Sequence, residues 1–255
     1  MIGNTCVHSK SLNQIPLEGE FVPYFQPVID LRLGCLAGFE LLARLHHPTD
    51  GIVGPDAFIL AAEEEGWIGE LTIHLLEKAL PAFASLPGEP FLAFNISPLQ
   101  FHDLELPNRI LDLALSMGFP MERLSVEITE TALFPDLSRA RKVAERFRFL
   151  GCSLGLDDFG TGYSSLKTLQ ALPFNVLKVD RSFVSTMTTS RESRKIVAAV
   201  IGLGQSLGLT TVAEGSKRRV RTRWWIGWAA IWGKAGFTGG RFRPRLSWTP
   251  FASLV

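Results

Sequence analysis

Short runs of β-type residues alternate with longer amphipathic runs from residue 21 to residue 215. The short runs are rich in Val, Ile, Leu and Phe, and polar or turn-forming residues bound each of them. We predict strands at 22–30, 36–43, 91–96, 124–129, 153–158, 175–179 and 209–213. Because such alternation normally builds a parallel sheet with crossover helices, the pattern predicts an α/β fold.

Four helical patterns lie between these strands, at 70–83, 107–117, 138–150 and 191–207, and the third begins with a Ser that can cap it. Gly118, Gly151 and Gly208 each follow a helix and precede a strand, where a left-handed C-cap is expected. The chain has no GxGxxG or GxxxxGK[ST] phosphate loop, which argues against a nucleotide-binding open sheet. A barrel with helices outside fits the pattern better, and its chemistry should lie at the C-terminal ends of the strands.

The composition fits one sizeable globular domain, with 255 residues of which 46% are hydrophobic. Residues 1–20 are polar and aperiodic, and we interpret them as a leader or the end of a linker. Three scattered cysteines favour a reducing compartment, and no signal-peptide pattern begins the chain. Gly and Gln residues interrupt the longest apolar stretch, 196–212, so we expect a cytoplasmic protein without a membrane segment.

Polar side chains stand at or near the ends of six predicted strands. They are Glu40, Asn95, Glu127, Asp157 with Asp158, Lys178 with Asp180, and Glu214. Each alone has a structural explanation: Asn95 could shape a turn, Asp158 could cap a loop, and Lys178 could pair with Asp180. Together, the carboxylates would repel one another at one barrel mouth unless divalent cations relieved the repulsion. Oxygen ligands without His or Cys indicate Mg²⁺ or Mn²⁺ rather than Zn²⁺.

Such a site suits the hydrolysis of a phosphodiester. Bound metal ions activate water and hold phosphoryl oxygens. Lys178 could stabilise developing charge or orient the water, and Glu214 could act as a base or as a further ligand.

At these residues the sequence resembles the EAL-domain family, bacterial phosphodiesterases that linearise cyclic di-GMP. The resemblance covers residues 21–215 and rests on "FQPVIDL" (25–31), "GFELLARLHHP" (38–48), "FNISP" (94–98), "VEITET" (126–131), "DDFGTGYSSL" (157–166), "LKVDRSFV" (177–184) and "TVAEG" (211–215). The triplet that names the family reads Glu40-Leu41-Leu42 here, a departure at a residue that is not a ligand.

The resemblance implies a modified TIM-type (β/α)8 barrel whose first strand is antiparallel, and a pair of Mg²⁺ or Mn²⁺ ions. The implied metal ligands are Glu40, Asn95, Glu127 and Asp157, with Asp158 at the second ion. Lys178 and Glu214 would position or activate water, and Glu40 belongs to the catalytic set. The reaction would convert cyclic di-GMP to linear pGpG.

The resemblance also implies substrate contacts, a supporting loop and partners. Gln26, Leu42, Arg44, Pro55 and Asp180 would contact the substrate, with Arg44 at a phosphate. Glu130, Thr161 and Ser164 would support the loop 160–165, which in the family couples dimerisation to metal binding. The resemblance therefore leads us to expect a homodimer, and the leader 1–20 could follow an upstream sensory domain as a further partner. All ligands up to Glu214 are present, which favours an enzyme over a receptor that binds cyclic di-GMP without turnover.

Residues 216–255 depart from the family. Residues 1–215 carry a net charge of −8, whereas the last forty residues carry +9 with no acidic residue and five of the six Trp. Three interpretations compete: a basic-aromatic tail that binds nucleic acid or anionic lipid, a diverged last barrel unit, and a shift of the reading frame. We rank nucleic-acid or membrane binding last.

The genetic code favours the frame shift. If one base was lost near Gly215, Trp228 with Ala229 and Trp232 with Gly233 each force a glycine in the original frame, because Trp has a single codon. One permitted reading of residues 216–245 contains the family's "VE", "GCD", "QG" and "RP" at the expected distances. We therefore predict that the tail replaces the last helix and strand, which disrupts the last unit and leaves open barrel edges.

Overall fold

The computed structural model describes residues 18–129, 136–160, 166–216 and 232–235. Within these ranges the strands are β1 Glu20–Asp30, β2 Cys35–His47, β3 Gly51–Val53, β4 Phe91–Asn95, β5 Leu124–Thr129, β6 Ser153–Phe159, β7 Val176–Val179, β8 Thr210–Ser216 and β9 Trp232–Ala235. The α-helices in the same ranges are α1 Ile59–Glu64, α2 Ile68–Ala84, α3 Leu106–Ser116, α4 Leu137–Phe149, α5 Leu166–Ala171, α6 Arg181–Thr186 and α7 Arg191–Ser206.

The sheet closes into a barrel. Its strands follow the order β1, β9, β8, β7, β6, β5, β4, β2, and β1 also pairs with β2, while β3 extends from the end of β2. Strands β2, β4, β5, β6, β7, β8 and β9 are each parallel to the next in this order. Strand β1 is antiparallel to both of its neighbours, β2 and β9. The predicted modified TIM-type barrel with an antiparallel first strand is confirmed.

The central strands are buried on both faces, since helices cover the outside of the barrel and other strands lie opposite on the inside. Leu124, Val126 and Ile128 of β5 are each fully buried. Outside the sheet, α4 buries Val143 and Phe147 in the layer between helices and strands. In the part of the chain that the structure describes, no helix has the length and apolarity needed to cross a bilayer.

The long helices lie within two residues of their predicted limits, and the three predicted C-cap glycines have φ values of 64°, 100° and 69°. One cap prediction is wrong. Helix α4 is capped by Asp136, whose side chain accepts a hydrogen bond from the Arg139 amide at 3.0 Å, and Ser138 lies inside the helix. Aspartate caps as well as serine, and its position two residues earlier leaves its carboxylate free to reach the first-turn amides.

The prediction that the barrel has open edges at β1 and β8 is also wrong, because residues 232–235 of the tail form a strand between them. Strand β9 lies parallel to β8, with Val212 opposite Trp232, and antiparallel to β1, with Val28 opposite Lys234. Strand pairing uses backbone groups, so a short extended segment can close the gap whatever its side chains. The last helix predicted to be lost falls within residues 217–231, outside the described residues, and its loss stays a prediction.

Candidate metal centre and active site

The carboxyl ends of the parallel strands bring the predicted polar residues to one mouth of the barrel. In the sheet, Asn95 lies opposite Glu127 and Thr129 lies opposite Asp157. The Asn95 amide nitrogen donates to the Glu40 Oε1 at 3.0 Å, which links the neighbouring strands β4 and β2 at the mouth. The strand-end pattern in the sequence therefore corresponds to one cluster in space.

Lys178 lies at the centre of this cluster and is completely buried. Its Nζ donates to Glu127 Oε2 at 2.6 Å and also to Asp157, and it lies 3.6 Å from Glu40 Oε1 and 3.2 Å from Glu214 Oε1. Burial by itself lowers the pKa of Lys178, but the charges of these four carboxylates together raise it well above its usual value. The ammonium thus stays charged and neutralises only part of the negative charge around it.

The donor set fits divalent cations that prefer oxygen. Two groups of carboxylates have ligand oxygens within 4.8 Å of one another: Glu40 with Glu127 and Asp157, and Asp157 with Asp158 and Glu214. Asp157 belongs to both groups, so it could bridge two ions. Hard cations such as Mg²⁺ and Mn²⁺ take carboxylate and amide oxygens, and the described donors here include no His or Cys.

An irregular backbone directs two consecutive carboxylates toward this mouth. Successive residues of a regular strand point to opposite faces, but Asp158 has a left-handed φ of 54° and the pairing of β6 with β7 shifts register between Leu156 and Phe159. The Asp158 amide donates to Asp157 Oδ1 at 2.8 Å. Burial, followed by the charges of Asp157, Glu214 and Asp180, raises the pKa of Asp158 to about 6.

The predicted substrate residues on the hairpin of β1 and β2 lie on the same face as Glu40. Gln26 is directly opposite Glu40 in the antiparallel pairing, and directly opposite residues share a face. Leu42 and Arg44 follow at alternate positions of β2, so they continue this face beyond Glu40. The Arg44 guanidinium donates to the Ala43 carbonyl at 2.7 Å.

The other predicted contacts are less uniform. Asp180 caps α6 by accepting from the Ser182 amide at 2.9 Å, and its charge acts on Asp158, so it lies close to the carboxylate cluster. Pro55 begins a short 3₁₀ turn between β3 and α1, and no hydrogen bond or ion pair among the described residues joins it to the cluster. Glu130, Thr161 and Ser164 lie outside the described residues, so their supporting roles stay predictions.

Two residues on the Glu40 face were not singled out from the sequence. Tyr24 lies opposite Leu42, and its hydroxyl lies 3.1 Å from Nε2 of His46. The sequence could have indicated Tyr24, because alternate residues of a strand share a face and Tyr24 is two residues from Gln26.

Comparisons with known proteins identify relatives of this chain by sequence and by fold. The family model of the EAL domain matches residues 9–224. The cyclic di-GMP phosphodiesterase RocR of Pseudomonas aeruginosa is 37% identical over 209 residues, which are 80% of this chain and 53% of RocR. NbdA, a cyclic di-GMP phosphodiesterase of the same organism, is 37% identical over 210 residues, or 81% of this chain and 27% of NbdA. The matched region thus spans about half of the length of RocR and about a quarter of that of NbdA.

Solved structures show the same fold. The PaMucR phosphodiesterase in complex with c-di-GMP superimposes with a TM-score of 0.79 at 29% identity, covering 84% of this chain and 89% of that one. The calcium and cyclic di-GMP complex of BlrP1 from Klebsiella pneumoniae has a TM-score of 0.73 at 28% identity, covering 84% of this chain and 54% of that one. With the family model matched over most of its length, this chain belongs to the EAL domain family.

Proposed function

We propose that this chain is a metal-dependent phosphodiesterase that hydrolyses cyclic di-GMP to linear pGpG. The observation that carries the proposal is the buried set of carboxylates around Lys178 at the C-terminal mouth of the barrel. The activity of RocR and NbdA as cyclic di-GMP phosphodiesterases, and the ligand in the PaMucR complex, support the choice of substrate.

The metal ligands in this proposal are Glu40, Asn95, Glu127 and Asp157, with Asp157 and Asp158 at a second ion. Mg²⁺ or Mn²⁺ bound there would lower the pKa of a water molecule and offset the charge of the phosphodiester. Because both ions would have oxygen ligands only, we expect chelation by EDTA to abolish turnover and either metal to restore it.

The protein groups around the reacting atoms have separate tasks. Glu214 takes the proton of the attacking water, and Lys178, with its Nζ 3.2 Å from Glu214 Oε1, orients the water and stabilises charge on the phosphoryl oxygens. Water adds to the phosphorus, one P–O3′ bond breaks, and the departing oxygen takes up a proton. The product keeps a 5′-phosphate and gains a free 3′-hydroxyl, as in pGpG.

The substrate lies, in this proposal, along the inner face of the β1–β2 hairpin. Arg44 binds a phosphate, Gln26 and Leu42 contact the nucleotide beside Glu40, and Pro55 and Asp180 lie near a guanine or the sugar-phosphate ring. A homodimer, which the resemblance implies, completes the proposal, together with an upstream sensory domain ahead of the leader and the cytoplasmic location inferred from the composition.

Substituting one buried ligand tests the proposal. Glu40→Ala removes a carboxylate from the cluster, and we expect pGpG formation in Mg²⁺ or Mn²⁺ to fall about a hundredfold or more, since ligand loss weakens both metal affinity and charge placement. The matched control is Glu145→Ala, which removes an exposed carboxylate of α4 that pairs with Arg141 at 2.8 Å. Turnover in Glu40→Ala equal to that of the control would refute the proposed metal site.

One observation favours a second candidate, a receptor that binds cyclic di-GMP without hydrolysing it. The family match ends at residue 224, before β9, so the last strand of the barrel does not carry matched residues. Calorimetric binding of cyclic di-GMP, together with the absence of pGpG in Mg²⁺ and in Mn²⁺, would identify the receptor. Metal-dependent release of pGpG would identify the enzyme.

A further inference from the structure

The inner face of the β1–β2 hairpin continues beyond the carboxylates with an aromatic residue. Gln26 lies opposite Glu40, and Tyr24, two residues earlier, lies opposite Leu42. Phe25, between them, packs its ring 4.9 Å from that of Phe83 in α2, outside the sheet. Because neighbouring strand residues point to opposite faces, Tyr24 points to the inner face of the sheet, as Gln26 and Glu40 do.

The Tyr24 ring is held in place by its neighbours. Its hydroxyl lies 3.1 Å from His46 Nε2, and the two rings meet edge to face with centroids 5.9 Å apart. The Arg44 guanidinium carbon lies 5.8 Å from the centre of the Tyr24 ring. Tyr24 nevertheless stays 37% exposed, so a fixed aromatic surface remains open beside the mouth.

We propose that Tyr24 and His46 form one wall of a purine-binding subsite and contribute to the recognition of a guanine base. This inference rests on the proposed function and adds two residues to it. Aromatic side chains stack on nucleobases, and a ring that is already held loses little conformational freedom when a ligand binds. With a phosphate at Arg44, the adjacent base of the same nucleotide lies within reach of the ring that Arg44 contacts.

Tyr24 and His46 have different roles in this wall. The Tyr24 ring supplies the stacking surface, and His46 fixes the orientation of that ring by bonding the Tyr24 hydroxyl. His46 is therefore a positioning residue, and a side chain that keeps a polar group at the same distance should replace it in part.

Substrate discrimination tests the wall. We would measure kcat/KM in Mn²⁺ for cyclic di-GMP and for bis(p-nitrophenyl) phosphate, a phosphodiester without a purine. For Tyr24→Ala we expect the ratio of the two values to fall about tenfold, mostly through KM for cyclic di-GMP, because a base–aromatic stack is lost. Tyr24→Phe keeps the ring and should lower the ratio only about twofold.

His46 is tested in the same way. His46→Ala should lower the ratio about threefold, and His46→Gln, which can still bond the Tyr24 hydroxyl, should restore most of it. The matched control is Leu36→Ala, which removes a side chain of equal exposure, 37%, at the opposite end of the same hairpin. A general loosening of the hairpin would lower both activities together and leave the ratio unchanged.

An unchanged ratio in both Tyr24→Ala and His46→Ala would overturn the inference while leaving the proposed function intact. If the wild-type chain hydrolyses neither compound, calorimetry with cyclic di-GMP replaces kinetics, and Tyr24→Ala should weaken Kd about tenfold. Wild-type protein that neither hydrolyses nor binds cyclic di-GMP would overturn both the proposed function and the wall.

Discussion

Lys178 shows how strongly a single residue depends on its surroundings in this protein. A completely buried ammonium is normally unfavourable, but here it lies within reach of four carboxylates. The sequence indicated that Lys178 belongs to the site. A simple pairing of Lys178 with Asp180 was equally open from the sequence. The closed barrel brings Glu40, 138 residues earlier in the chain, and Glu214, 36 residues later, to the same ammonium.

Cys152 offers a prediction at the same scale. Burial, and then the charge of Glu122, raises the pKa of this thiol from 9.0 to about 12. The folded protein therefore holds its proton at pH values where the unfolded chain has released it, so the stabilising contribution is complete below about pH 9 and is lost between pH 9 and 12. The loss is about 1.4 kcal/mol per pH unit in that window.

Urea unfolding at pH 7, 9 and 10.5 measures this effect in wild-type protein and in Cys152→Ala, which has no thiol at this position. The free energy of unfolding of the wild type should fall more steeply above pH 9 than that of the variant. Cys35→Ala is the control, because Cys35 is exposed and should leave the steep branch in place. Parallel pH profiles for wild type and Cys152→Ala would contradict the prediction.

At the scale of elements, a buried polar contact joins the loop after β4 to helix α2. Gln100 accepts a hydrogen bond from the Ser97 amide at 3.0 Å and donates to the Thr72 hydroxyl at 2.9 Å. Gln100 and Thr72 are both buried, so neither bond is readily replaced by water. The contact fixes the chain just after Asn95, one of the predicted metal ligands.

We expect Gln100→Leu to lower the free energy of unfolding by about 1–3 kcal/mol, because the partly buried Ser97 amide loses its acceptor and the buried Thr72 hydroxyl loses a donor. If the loop also positions Asn95, calorimetry should show weaker Mn²⁺ binding than in the wild type. Thr72→Val leaves the Ser97 contact intact, so it should destabilise the fold while changing Mn²⁺ binding less. Equal Mn²⁺ affinity in Gln100→Leu and wild type would limit the role of Gln100 to stability.

Elements with long, regular patterns could be predicted from the sequence, and short ones could not. Strands β4 to β8 each combine an apolar stretch with flanking polar or turn-forming residues, and they lie within three residues of their predicted limits. Helices α1, α5 and α6 have six residues each, which is less than two turns and too short to show a period. The left-handed backbone conformation of Asp158 could not be predicted from the sequence either, because glycine is the main residue type that indicates a positive φ.

At the scale of the whole molecule, barrel closure depends on β9. This strand satisfies backbone groups of both β1 and β8, which would otherwise form open edges. Its position also bears on the frame-shift hypothesis, since one permitted reading of the original frame has the family's "QG" at positions 234 and 235, inside Trp232–Ala235. On that hypothesis, β9 occupies the place that the family's last strand would fill.

Two truncations test this closure. Removing residues 217–255 deletes β9, and we expect Tm to fall by about 10 °C, as several backbone hydrogen bonds worth about 1 kcal/mol each are lost. Removing residues 236–255 keeps β9 and should leave Tm within a few degrees of the full chain. Equal Tm values for both truncations would show that β9 does not contribute to the closure.

A third variant, with the reading frame restored after Gly215, extends the comparison. It should unfold at a higher Tm and produce more pGpG than the chain with residues 216–255 as they stand, because it regains a hydrophobic last helix and the family's residues near the site. Resequencing the gene checks the premise directly, and an unbroken frame on both sides of Gly215 would remove it.

The antiparallel direction of β1 determines where the polypeptide enters the barrel. In an all-parallel barrel the first strand would begin at the floor, far from the mouth, but β1 begins with Glu20 opposite His46, at the rim. A domain fused ahead of Glu20 would therefore join the barrel on the side of the proposed active site rather than at the opposite end. The reversed direction of β1 thus determines which end of the barrel an N-terminal domain would contact.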